Sequence, residues 1–125
     1  MPKWMLTIIT MIVIFWLTLA PKPLGEEPPQ LFPGADKIVH ALMFGFLVAM
    51  MLLDWQRKHG WTEVAWSKSI SCFIISALTG ILIELLQASM ALGRAFEYND
   101  ILADTVGALM VALLWMPFQK MWSRL

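Results

Sequence analysis

The side chains able to do chemistry in this chain are few, and their spacing is helical. Asp36, Lys37 and His40 fall within one and a half turns. Glu84 and Gln87 stand three apart, Asp100 and Asp104 four apart, with Arg94 between the two pairs. On helices, Asp36, His40 and Phe44 share one face. Gly80, Glu84, Gln87 and Ala91 share a second, and Asp100, Asp104, Gly107 and Val111 a third. A histidine near carboxylates is the material of acid–base catalysis, so His40 and Glu84 are the candidate catalytic residues. Asp36, Lys37, Gln87, Arg94, Asp100 and Asp104 are the candidate ligand-binding residues. The planar guanidinium of Arg94 suits an anionic headgroup or phosphate.

Each of these residues also has a structural alternative. His40 can be a hydrogen-bonded packing residue, Asp36 a helix N-cap, and Gln87 an interhelical hydrogen-bonding group. Arg94 can lock two helices together by pairing with Asp100 or Glu84. Other chemistries find less material. One histidine with carboxylates could hold a metal, but there is no H-x-x-x-H or C-x-x-C spacing, so none is expected, and there is no Walker, dinucleotide or haem motif, so no cofactor is expected. The single cysteine, Cys72, sits in an apolar run and can form no internal disulfide. The serines carry no nucleophile-elbow motif, and the ten methionines read as packing or lipid-facing residues.

The elements that must position the polar residues are strongly apolar. Hydrophobic residues make up 59% of the 125 and charged residues 14%, too few to cover a soluble domain of this size. That excludes a disordered chain, a nucleic-acid-binding arm and a disulfide-stapled secreted module. Four apolar stretches approach the ~20 residues a helix needs to cross a bilayer, predicting helices over about 4–20, 37–54, 68–92 and 100–119. The runs are too long for strands and do not alternate. The expected fold is therefore all-α: a single domain over 1–125, a compact bundle of four transmembrane helices with the bilayer as its partner.

The first stretch, with Lys3 before it and Thr18-Leu19-Ala20 at its end, has some features of a secretory signal. Pro21 after Ala20 and the length of the stretch favour a retained first helix. Residues 21–35 hold five of the seven prolines and are expected to form an extended loop. Asp36 is the expected cap of the second helix, and Asn99 or Asp100 of the fourth. Residues 54–68, with Gly60 as the break, and 93–99 are the other expected loops.

Net charge is zero, so only the distribution of charge informs. One side of the membrane would receive Lys3, Arg57, Lys58, Lys68, Lys120 and Arg124, the other Lys22, Lys37 and Arg94. The side with more basic residues is expected to be cytoplasmic, with both termini inside. Six of the seven tryptophans fall at or near that side; Trp16 is the exception. In this orientation every candidate site residue maps to the outer side. Gly80, Gly107 and Ala108 would mark close helix contacts that turn the polar stripes inward.

The residues also resemble a known family. Asp36-Lys37 followed by His40 and Phe44 is similar to the D-K-x-x-H-x-x-x-F motif of VanZ-like membrane proteins. Glu84 and Gln87 resemble their E-x-x-Q, and Arg94, Phe96 and Asp100 their R-x-F…D. Asp104 and Gly107 resemble their N-x-x-G, with Asp in place of the commoner Asn. The likeness covers about residues 36–110. It implies a small multi-pass bacterial membrane protein, in a family whose founding member is associated with resistance to the glycopeptide teicoplanin. Asp104 makes the outer side more anionic and weakens any role that needs a neutral amide there.

Three functional classes stay open at this point. The outer side could bind or modify a cell-envelope lipid, a lipid-linked headgroup or an amphiphilic antibiotic. It could be a membrane enzyme using His40 with a carboxylate. It could be a transporter or proton relay, a reading weakened because the inner halves of the four segments offer no ionisable residue to continue a path. A purely structural membrane subunit is the alternative to all three.

Overall fold

The computed structural model describes residues 4–19, 35–60, 62–89 and 98–123, all of them in or next to four helices. These are α1 (Met5–Leu19), α2 (Ala35–Lys58), α3 (Trp66–Ser89) and α4 (Tyr98–Ser123), with no strand among the described residues. At 1.5 Å per residue the 24-residue α2 and α3 are each about 36 Å long and the 26-residue α4 about 39 Å. All three are long and apolar enough to span a membrane. The 15 residues of α1 reach about 22 Å, short of a ~30 Å hydrocarbon core. The protein is thus an all-helical integral membrane bundle in which three helices meet the spanning length.

The bundle is assembled around α2 and α4, which run parallel and make the most extensive contact. Side-chain contacts from Lys37–Asp100 at one end to Gln56–Gln119 at the other keep a constant register between them. Small residues make this approach close. A Cβ on Gly107 would fall onto the Ala41 backbone, 2.6 Å from its carbonyl carbon. A Cβ on Gly45 would meet Val111 at 3.0 Å and the Gly107 carbonyl oxygen at 3.1 Å. Without a hydrophobic force between helices in lipid, such backbone proximity and its dispersion energy do the joining.

The antiparallel α3 is tied to both neighbours by hydroxyls that reach out of the helix. Ser69 Oγ donates to the Ala112 carbonyl of α4 at 2.7 Å, and Ser76 Oγ to the Phe44 carbonyl of α2 at 3.2 Å. Between the two ends lies an apolar core of Phe44, Leu47, Val48, Leu52 and Ile83. The opposite helix faces expose large aliphatics, among them Leu42, Leu78 and Leu114, as lipid-facing surfaces do.

Helix limits differ from the sequence expectation where a charge was taken as a stop. Asp54 was expected to begin a loop, yet α2 continues through it to Lys58. Its carboxylate is fully buried and satisfied inside the bundle, so it does not end the helix. Gly60, at φ 70°, makes the turn that follows. At the other end, α4 starts at Tyr98, so Asn99 and Asp100 lie in its first turn rather than at its cap. There Asp100 faces the positive pole of the helix dipole. The proline-rich stretch 21–34 and residues 90–97 lie outside the described residues.

Candidate functional site

Three helices deliver polar side chains to one end of the bundle. Lys37 and His40 come from the first turns of α2, Glu84 from the last turns of α3, and Asp100 and Asp104 from the first turns of α4. The parallel register of α2 and α4 pairs them in two steps. Nearer the end, Lys37 Nζ makes an ion pair with Asp100 Oδ1. One turn deeper, His40 Nδ1 lies 3.0 Å from Asp104 Oδ1. The second imidazole nitrogen, Nε2, is 4.0 Å from Asp100 Oδ2.

Asp100 therefore divides its two oxygens between the ammonium and the imidazole. An ionised Asp104 can only accept, so His40 Nδ1 carries the proton toward it, and in the neutral ring Nε2 keeps a lone pair. Glu84 comes in from the third helix and is 1% exposed. One ligand atom from each of His40, Glu84 and Asp100 lies within 4.8 Å of the others. A glycine makes room for this. Gly80 lies one turn before Glu84 on α3, and a Cβ there would stand 2.8 Å from Asp104 Oδ2.

Burial grades along the site. Asp104 and Glu84 are buried, His40 and Asp100 are about one-seventh exposed at 14%, and Lys37 reaches 29%. The arrangement is a polar recess whose deeper residues are buried and whose residues nearer the bundle end are partly exposed. Among the described residues it holds three carboxylates against one ammonium and one imidazole.

Of the eight residues expected at the site, the structure brings together Lys37, His40, Glu84, Asp100 and Asp104. Arg94 and the side chains of Asp36 and Gln87 lie outside the described residues. The sequence reading missed a second polar group at the opposite end. Asp54 Oδ2 accepts the Thr7 backbone N–H at 2.7 Å and its hydroxyl at 2.8 Å, while Oδ1 takes Arg57 at 2.9 Å. Asp54 thus caps α1 from another helix, where orphan N–H groups and the dipole favour an anion. Beside it, Gln119 bonds both backbone groups of Val64, at 2.8 and 2.9 Å, and Gln56 bonds Gln119 at 3.1 Å. A charge three residues before Arg57 at an apolar boundary was the available signal. These contacts brace the fold, and they place an ionisable group at the end of α2 opposite the cluster.

The fold and its polar end define a class: a small helical membrane protein with buried ionisable side chains gathered at one membrane face. The sequence model of the VanZ/LLP1 family matches residues 4–120, nearly the whole chain. The protein belongs to that family. No curated protein and no solved structure matches it.

Proposed function

We propose that the recess formed by Lys37, His40, Glu84, Asp100 and Asp104 recognises the polar headgroup of a cell-envelope lipid or similar amphiphile. The observation that carries this reading is convergence: three separate helices place ionisable side chains in one graded recess. An acidic side chain costs about 2.5–3.5 kcal/mol at mid-membrane on insertion scales and less toward the interface, which favours the place of Glu84 in the last turns of α3. A recess at the headgroup level gives such groups a polar ligand while the lipid tails remain in the bilayer.

In this reading the protein sits in the cytoplasmic membrane with both termini in the cytoplasm and the recess on the outer face. The distribution of basic residues supports that orientation, as does the aromatic and basic belt at the opposite end. There Lys58 and Lys68 stand 5.8 and 5.5 Å from the Trp4 ring, and Trp55 stacks on His59. A role in teicoplanin-type resistance is the phenotype that family membership makes worth testing.

A second reading draws on one contact. His40 held by Asp104 through Nδ1, with Nε2 4.0 Å from Asp100 Oδ2, has the base-and-orienter arrangement used in acid–base catalysis. The same experiment addresses both readings. His40→Ala should leave the detergent-solubilised protein folded, its stability lowered by no more than about 1–3 kcal/mol, the cost of losing the imidazole partner of the buried Asp104. It should abolish any envelope or resistance phenotype. A His40→Ala protein that folds normally and keeps full activity removes the catalytic reading. One that melts far below the wild type makes the cluster a brace.

A further inference from the structure

We infer that His40, Glu84 and Asp100 form a binding site for a divalent transition-metal ion, with Asp104 orienting the histidine. This deepens the headgroup reading and rests on the same recess.

Two observations support it. First, the ligand atoms come from three helices and lie within 4.8 Å of one another. Ligands about 2.0–2.2 Å from a shared zinc ion stand roughly 3.4–4.4 Å apart, so a side-chain movement of about 1 Å closes the set. Second, the histidine is arranged as metal-bound histidines are. One ring nitrogen is held by a buried carboxylate, His40 Nδ1 to Asp104 Oδ1 at 3.0 Å, which leaves Nε2 on the side of Asp100, 4.0 Å from its Oδ2. A carboxylate in that orienting position makes the ring a stronger metal donor.

The donor set selects the class of ion. One nitrogen with carboxylate oxygens and no thiolate suits Zn²⁺ or Mn²⁺, whereas Ca²⁺ and Mg²⁺ favour all-oxygen shells. Three protein ligands leave a coordination position of the ion for an oxygen of the headgroup. The ion gives a phosphate oxygen a cation to bind, which makes phosphate-bearing headgroups the ligand class.

The test uses the full-length protein in detergent, stripped with a chelator and titrated with Zn²⁺, with Co²⁺ absorption as a second readout. One ion per chain is expected. His40→Ala, Glu84→Gln and Asp100→Asn should each weaken binding at least ~100-fold, and Asp104→Asn by about 10–100-fold. His59→Ala, an exposed histidine at the opposite end, should leave it unchanged. The Co²⁺ spectrum of the wild type reports a nitrogen-containing site even where the Glu84 variant folds poorly. Zn²⁺ uptake that survives His40→Ala and Asp100→Asn, or a Co²⁺ spectrum that matches free aqueous ion, overturns the proposal. Lipid retention by the same samples separates the two ideas. Stripped protein that holds lipid in a His40-dependent way and takes up no ion overturns the metal site alone. Stoichiometric ion uptake with no lipid retained supports the metal site and removes the headgroup reading.

Discussion

His40 and Asp54 do opposite jobs with similar means. Each is an ionisable side chain in α2 held by a partner on another helix. Asp54 is wholly buried, with both oxygens bonded to fixed donors at the α1 N-terminus and on Arg57. His40 has one nitrogen fixed and the other 4.0 Å from Asp100 Oδ2 in a partly exposed recess. Replacing Asp54 with Ala strands the Thr7 donors in the apolar interior and removes the Arg57 partner. Hydrogen bonds to charged groups are worth ~1.5–3 kcal/mol, so Asp54→Ala should lower stability by about 2–4 kcal/mol and loosen α1. Thermal melting together with protease cleavage near residue 20 would register both effects. An unchanged melt would mean that Asp54 does not hold α1.

Much of the polar recess was legible in the sequence because the chemistry-bearing residues repeat at helical spacing near segment ends. Asp54 was not, because a charge at the edge of an apolar run looks like the start of a loop. Only the partner seven residues from the N-terminus shows otherwise. The hydroxyls of Ser69 and Ser76 were likewise unreadable, since the carbonyls they bond belong to other helices.

At the scale of the elements, the parallel contact of α2 with α4 sets the recess. Its closeness depends on Gly107, where a Cβ would meet only Ala41 backbone atoms that cannot swing aside. Gly107→Ala should therefore force the helices apart. Overpacking of this kind costs ~1–3 kcal/mol, and the melting temperature should fall by several degrees. Gly80 acts more locally. A Cβ there would reach Asp104 Oδ2 at 2.8 Å and push the carboxylate off His40. Gly80→Ala should cause a smaller drop in melting temperature than Gly107→Ala but a comparable loss of any His40-dependent activity. Equal activity in the Gly80 variant and the wild type would show that the Asp104–His40 contact is dispensable. The sequence marked Gly80 and Gly107 as contact points through their small size. Which helix each one meets came only from the fold.

For the whole molecule, the central asymmetry is between its two ends. One gathers the partly exposed, acid-rich recess, the other the closed brace with its tryptophans and lysines. The proposed orientation puts the first outside and the second at the cytoplasmic face. A reporter active only outside the cytoplasm should work when fused after residue 30 and stay silent after residue 125; the reverse pattern would invert the molecule. α1 adds a further asymmetry, since its 15 described residues are shorter than a span and it packs on α2 and α3 without α4. Apolarity in the sequence made it look equal to the other three helices. Its length and its capping by Asp54 set it apart.

The claim that the recess holds a lipid headgroup is tested most directly by native mass spectrometry of the protein released from detergent. Wild-type protein should retain about one co-purified lipid or amphiphile per chain. His40→Ala should lose it while remaining folded. His59→Ala, at the opposite end, should retain it. Equal lipid retention by wild type and His40→Ala, or no lipid retained by either when envelope lipids are supplied, would contradict the account.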